Sequence, residues 1–124
     1  MKAILLVAHG SKRSQSNDEL LSIAEKLKNI CSKQYSIVQA AFLELAEISI
    51  PDGIKLCIDK GATSIIVLPY FLNSGKHVVE DIPNIVKNTA EKYPNVKIKI
   101  ASHIGSSELM TEVLIDCVNK AEFE

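Results

Sequence analysis

Ala3-Ile4-Leu5-Leu6-Val7-Ala8-His9-Gly10-Ser11 decides the fold: six apolar residues run without polar alternation and stop at a histidine and a glycine. Such a run suits a strand buried on both faces, the kind found in parallel sheets covered by helices. Open parallel sheets bind their ligands beyond the carboxyl ends of the strands, so the run delivers His9 to the edge where chemistry is done. A second run, Ile65-Ile66-Val67-Leu68-Pro69-Tyr70-Phe71-Leu72, leads through Asn73-Ser74-Gly75-Lys76 to His77. Two of the chain's 3 histidines thus follow these two apolar runs.

Between and beyond these runs, strands and helices alternate. Ser16-Asn17-Asp18-Glu19 has the form of a capping box, and Leu20, Ile23, Ala24, Leu27 and Ile30 share a helical face, which predicts a helix over Asn17–Cys31. Ser36–Glu44 reads as the second strand and ends on a carboxylate. Ser49-Ile50-Pro51-Asp52 opens the second helix, whose face carries Ile54, Cys57 and Ile58 and which Gly61 ends. The third strand spans Thr63–Tyr70, and Asp81-Ile82-Pro83 begins a helix that reaches Tyr93-Pro94. Val96–Ala101, with Lys97 and Lys99 alternating against apolar residues, predicts an edge strand. Ser106-Ser107-Glu108 opens a last helix with Leu109, Val113, Cys117 and Val118 facing inward, and the charged tail Ala121–Glu124 is expected to fray.

Strand–helix alternation predicts right-handed crossovers and a four-stranded parallel sheet in three layers, helices on both faces. With strand order 2-1-3-4, strands 1 and 3 flank a topological switch point, His9 faces His77, and Glu44 stands beside His9. At 124 residues the whole chain, 1–124, reads as one α/β domain.

Composition bounds the function. Apolar residues at 47% and charged residues at 23% fit a globular protein, and no apolar stretch is long enough for a membrane span. The apolar start is too short for a signal peptide and enters the His9 motif directly, so a cytoplasmic location is expected. A net charge of −1 gives no electrostatic basis for a nucleic-acid partner. Cys31, Cys57 and Cys117 lack the spacing of a zinc ribbon or disulfide framework and read as core thiols.

Two neutral imidazoles and a carboxylate suit a borderline divalent cation and leave coordination positions open. Each residue also has an ordinary reading: His9 and His77 as loop histidines, Glu44 as a cap or surface charge. His103 follows strand 4, away from the switch point, and reads as a rim residue. Phosphohistidine enzymes resemble Arg-His-Gly at the first strand end, but here Ala8 stands where the arginine would be. No Walker loop, G-x-G-x-x-G or G-x-S-x-G is present.

Val7-Ala8-His9-Gly10-Ser11-Lys12-Arg13, Phe42-Leu43-Glu44 and the stretch Pro69-Tyr70-Phe71-Leu72-Asn73-Ser74-Gly75-Lys76-His77-Val78-Val79-Glu80-Asp81-Ile82-Pro83 together resemble the small CbiX-type sirohydrochlorin chelatases of the archaeal short form. The resemblance implies a flavodoxin-like unit that inserts a divalent metal, cobalt or nickel, with iron a close variant, into sirohydrochlorin. Two protons leave the ring, no ATP or organic cofactor is called for, and the product serves cobalamin, nickel-tetrapyrrole or siroheme synthesis. It also implies a homodimer that builds the tetrapyrrole cleft between two chains. His9 and His77 take metal binding and proton abstraction in this reading, with Glu44 assisting the metal. Ser11, Lys12, Arg13, Asn73, Ser74, Gly75 and Lys76 are placed to meet the carboxylates of the substrate. Family members commonly carry a Leu-Gly-x-His-Pro stretch after the last strand; this chain reads His103-Ile104-Gly105-Ser106-Ser107-Glu108, so no role is carried there. A non-catalytic carrier of metal or tetrapyrrole is the alternative on the same residues.

Overall fold

The computed structural model describes residues 1–121 and Phe123. Its elements are β1 (Lys2–Ala8), α1 (Ser14–Cys31), β2 (Ile37–Phe42), α2 (Ile50–Asp59), β3 (Ser64–Pro69), α3 (Ile82–Ala90), β4 (Lys97–Ile100) and α4 (Met110–Lys120). A π-helical turn, His77–Asp81, leads into α3, and a 3-10 turn, Ile104–Ser106, precedes α4. The four strands form one parallel sheet in the order β2-β1-β3-β4. The doubly covered sheet and the strand order expected from the sequence are both present.

The apolar runs are continuous because β1 is packed on both sides. Ala3, Leu5 and Val7 face a core shared with Ile50, Ile54 and Cys57 of α2 and with Ile82 and Val86 of α3. Leu6 faces the opposite way, onto Leu20 and Ala24 of α1 with Ala40 and Phe42 of β2. Helix α2 lies flush on the sheet at Gly53, where a Cβ would come within 2.8 Å of Leu5 Cδ1 and 3.0 Å of the Ala41 Cβ. Ser49 caps α2 by accepting from the Asp52 N–H at 3.3 Å. β4 is the wet edge, with Lys97 and Lys99 exposed as their alternation predicts.

Several expectations are corrected. The Ser16–Glu19 capping box does not form: α1 begins at Ser14, the Arg13 cap makes no side-chain bond, and Ser16 already lies in the helix. Asn17 instead turns back onto Ser11, accepting from its N–H at 3.0 Å and donating to its carbonyl at 2.8 Å. Ile30, in the last turn of α1, is 82% exposed and does not share the buried face. β2 stops at Phe42, so Glu44 lies just past the strand, and α3 ends at Ala90, before Tyr93.

The expected inward stripe of α4 is also overturned. The helix opens at Met110, later than Ser106–Glu108, and Leu109, Val113 and Val118 are exposed. Cys117 is exposed and Cys31 half-buried; only Cys57 is a core thiol. The helix stands off the sheet: Leu109, Met110 and Val113 line a hollow over Leu68 of β3, and no residue of α4 is buried. The fraying expected of Ala121–Glu124 falls in part on Glu122 and Glu124, which lie outside the described residues.

Candidate functional site

Register brings the carboxyl ends of β1, β2 and β3 level. Ala8 pairs with Phe42 and Val7 with Pro69. The pairing runs on past the strands: Leu43 N–H donates to the Ala8 carbonyl at 2.9 Å, Glu44 N–H to the His9 carbonyl at 2.9 Å, and Tyr70 N–H to the Val7 carbonyl at 2.7 Å. His9 and Glu44 are therefore neighbours by backbone, before any side chain is considered.

Gly10 makes that approach possible. Its φ is +96°, and a Cβ there would overlap the Glu44 carbonyl oxygen. A left-handed residue pressed against backbone must be glycine.

The His9 ring is tied at both nitrogens. Nδ1 lies 2.9 Å from the Gly10 carbonyl and Nε2 lies 3.1 Å from Glu44 Oε1. A carbonyl only accepts, so Nδ1 carries a proton and donates it. A neutral imidazole then turns its Nε2 lone pair toward a carboxylate that also only accepts. The contact is favourable when Nε2 carries a second proton, or when a cation sits between nitrogen and carboxylate.

His77 reaches the same place from the other side of the switch point. Its ring centroid is 4.9 Å from that of His9, with the planes inclined by 55°. Phe71 backs it at 6.4 Å. Its Nδ1 lies 2.8 Å from Asp81 Oδ2. Two histidine–carboxylate pairs thus stand side by side at the sheet edge, each about half exposed.

Two shallow clefts flank them. One, about 220 Å³, is bounded by His9, Gly10, Ser11, Phe42 and Tyr70; the other, about 310 Å³, by Leu43, Glu44, Asp81, Asn84 and Ile85. Of the residues expected to meet a substrate, Lys12, Arg13, Asn73, Ser74, Gly75 and Lys76 are exposed on the two loops that leave β1 and β3. Ser11 is half-buried, and its hydroxyl oxygen accepts from the Arg13 N–H at 3.0 Å, which leaves its hydrogen free to donate. His103 lines the hollow beneath α4 and is not part of the pair.

The structure brings His9 to His77 and His9 to Glu44. Among the described residues no three histidine, cysteine, aspartate or glutamate side chains converge on one point. Asp81 is the residue that sequence reasoning missed as a site group. The sequence presents it as a helix start, and the signal for a second use is its four-residue spacing from His77, which puts both side chains on one helical face.

Known proteins resemble the chain over most of its length. The sequence model of the CbiX family matches residues 3–121. A sirohydrochlorin ferrochelatase of Priestia megaterium is 31% identical over all of this chain, which spans 46% of that protein. A sirohydrochlorin cobaltochelatase of Sulfolobus acidocaldarius is 34% identical over 98% of this chain and 93% of its own length. The solved structure of SirB from Bacillus subtilis with Fe3+ superposes with a TM-score of 0.88 at 30% identity, covering 99% of this chain and 48% of that one. This chain therefore spans about half the length of some relatives and nearly all of others. With a family match over almost every residue, the chain belongs to the CbiX family.

Proposed function

We propose that this protein is a sirohydrochlorin chelatase, which exchanges two pyrrole protons of the tetrapyrrole for a divalent metal ion. The observation that carries the reading is the contact between His9 Nε2 and Glu44 at 3.1 Å, beside a second imidazole. With Nδ1 of His9 bound to a carbonyl, that contact is a proton or cation site open to solvent. His9, His77 and Glu44 face the incoming metal, and an imidazole accepts protons from the pyrrole nitrogens. Lys12, Arg13 and Lys76 pair with the peripheral carboxylates, and Ser11, Asn73, Ser74 and the backbone at Gly75 supply hydrogen bonds.

The metal is cobalt or nickel in this reading, with iron the close variant. Relatives named for cobalt and for iron are both similar to the chain. Nitrogen–oxygen sites rank first-row ions by the identity of the ion, so selection rests on geometry and supply. No organic cofactor enters the proposal.

A homodimer completes it. The exposed apolar residues of α4 support a second copy of the chain as its cover, with the tetrapyrrole held between the two sheet edges. Among the described residues no helix is long and apolar enough to cross a membrane, and all 3 cysteines are free thiols, which supports placement in the reducing cytoplasm.

Anaerobic absorption spectroscopy of sirohydrochlorin with cobalt, nickel or iron tests the function. Metallation well above the protein-free rate, with more than one product per chain, is expected for at least one ion. Stoichiometric binding without turnover would replace the enzyme by a carrier.

A further inference from the structure

We propose that Asp81 is a positioning residue: its carboxylate holds His77 in the Nδ1–H tautomer, so that Nε2 is the atom presented to the site. The distance of 2.8 Å is that of a charge-assisted hydrogen bond. An ionised carboxylate only accepts, so the imidazole proton resides on Nδ1 and the lone pair on Nε2.

The carboxylate has no other employment. Asp81 stands at the N-cap position of α3, yet its φ of −64° and ψ of −51° are helical and its side chain caps nothing. Among the described residues no lysine or arginine lies within ion-pair distance of it. The pair is also held rigidly. Both residues sit on one π-helical turn closed by the Ile82 N–H bonding the His77 carbonyl, and Ile82 is fully buried. Widened turns of this kind recur at functional sites in helices.

His9 reaches the same tautomer by an uncharged route, through the Gly10 carbonyl. Both rings therefore carry the lone pair on Nε2, which in His9 faces Glu44 Oε1 at 3.1 Å; only His77 has a carboxylate behind it, on Nδ1. A carboxylate behind an imidazole raises its basicity as a ligand and fixes its orientation. The consequence for metallation rests on the proposed chelatase function; the tautomer does not.

Long-range proton–nitrogen NMR correlations on the 15N-labelled chain, in alkaline buffer where imidazole is neutral, read the tautomer directly. The wild type is expected to show the His77 proton on Nδ1. Asp81→Ala is expected to move it largely to Nε2, while Asp81→Asn, whose amide oxygen still accepts, keeps part of the original population. In metallation assays Asp81→Ala should lower cobalt affinity or rate by about 10–100-fold with sirohydrochlorin affinity unchanged, and Asp81→Asn should recover part of the loss. A wild-type proton on Nε2, or an unmoved tautomer in Asp81→Ala, overturns the proposal. If the wild type shows Nδ1–H but no metallation, the chelatase reading fails and the positioning role stands.

Discussion

The imidazole rings of His9 and His77, which follow different strands, meet with centroids 4.9 Å apart and planes at 55°. That separation is too close for independent roles, because a cation or pyrrole nitrogen reached by one ring is within reach of the other. His9→Ala and His77→Ala are each expected to remove about 100-fold or more of the metallation rate. The double variant should fall well short of the product of the two losses, as groups serving one event do. Both rings are part-exposed, so thermal unfolding should move by no more than about 1 kcal/mol. Full activity in either single variant would sink the shared-site reading.

Two glycines in the site loops should respond oppositely to alanine. At Gly10 the backbone is left-handed and a Cβ overlaps the Glu44 carbonyl, so Gly10→Ala must push the β2 end away from β1. A loss of about 2 kcal/mol or more is expected in denaturant unfolding, with the His9–Glu44 contact broken. At Gly75 a Cβ meets nothing within 4 Å, and Gly75→Ala should leave stability unchanged or raise it by roughly 0.5 kcal/mol. Equal effects at the two positions would contradict the backbone geometry.

What could be read from the sequence followed from the physics of burial. The uninterrupted run from Ala3 to Ala8 identified β1 because only a doubly covered strand omits polar alternation, and His9 and His77 came with the strand ends. Asp81 was not legible as a site residue, since the same aspartate before Ile82-Pro83 also looks like a helix cap, and only the helical φ and ψ decide between the two uses. The capping box at Ser16 misled because the helix has already begun at Ser14 and the Ser16 N–H bonds the Arg13 carbonyl at 3.1 Å, so no helix end is left there to cap. Periodicity marked the apolar stripe of α4 correctly but carried no information on whether anything lies against it.

Cys57 should behave unlike the other thiols. It is fully buried, and burial pushes its thiol from 9.0 up to about 11. The folded state thus favours the protonated form, so this contribution to stability is intact below about pH 9. It is lost as pH rises toward 11, because the unfolded chain ionises first. The total is about 3 kcal/mol for a shift of this size. Alkaline unfolding curves should flatten over that window in Cys57→Ala relative to wild type. Iodoacetamide with mass spectrometry should label Cys117 readily in dilute protein, and Cys57 only with global unfolding.

The apolar surface of α4 predicts self-association. Leu114 is 61% exposed and Val118 69%, one helical turn apart, and Val113 and Cys117 lie beside them. Covering such a stripe removes apolar surface from water, and a second copy of the chain offers a matching one related by a two-fold axis. Sedimentation should therefore give twice the chain mass. Because both side chains are exposed in the single chain, Leu114→Glu and Val118→Glu should cost the fold within about 0.5 kcal/mol. Setting a carboxylate into the buried contact should nonetheless weaken the dimer more than about tenfold, equivalent to about 1.4 kcal/mol. Labelling of Cys117 gives an independent measure: it should slow as wild-type concentration rises and stay fast in both variants. A wild-type chain that sediments as a monomer at high concentration, with Cys117 equally reactive throughout, would remove α4 as the interface.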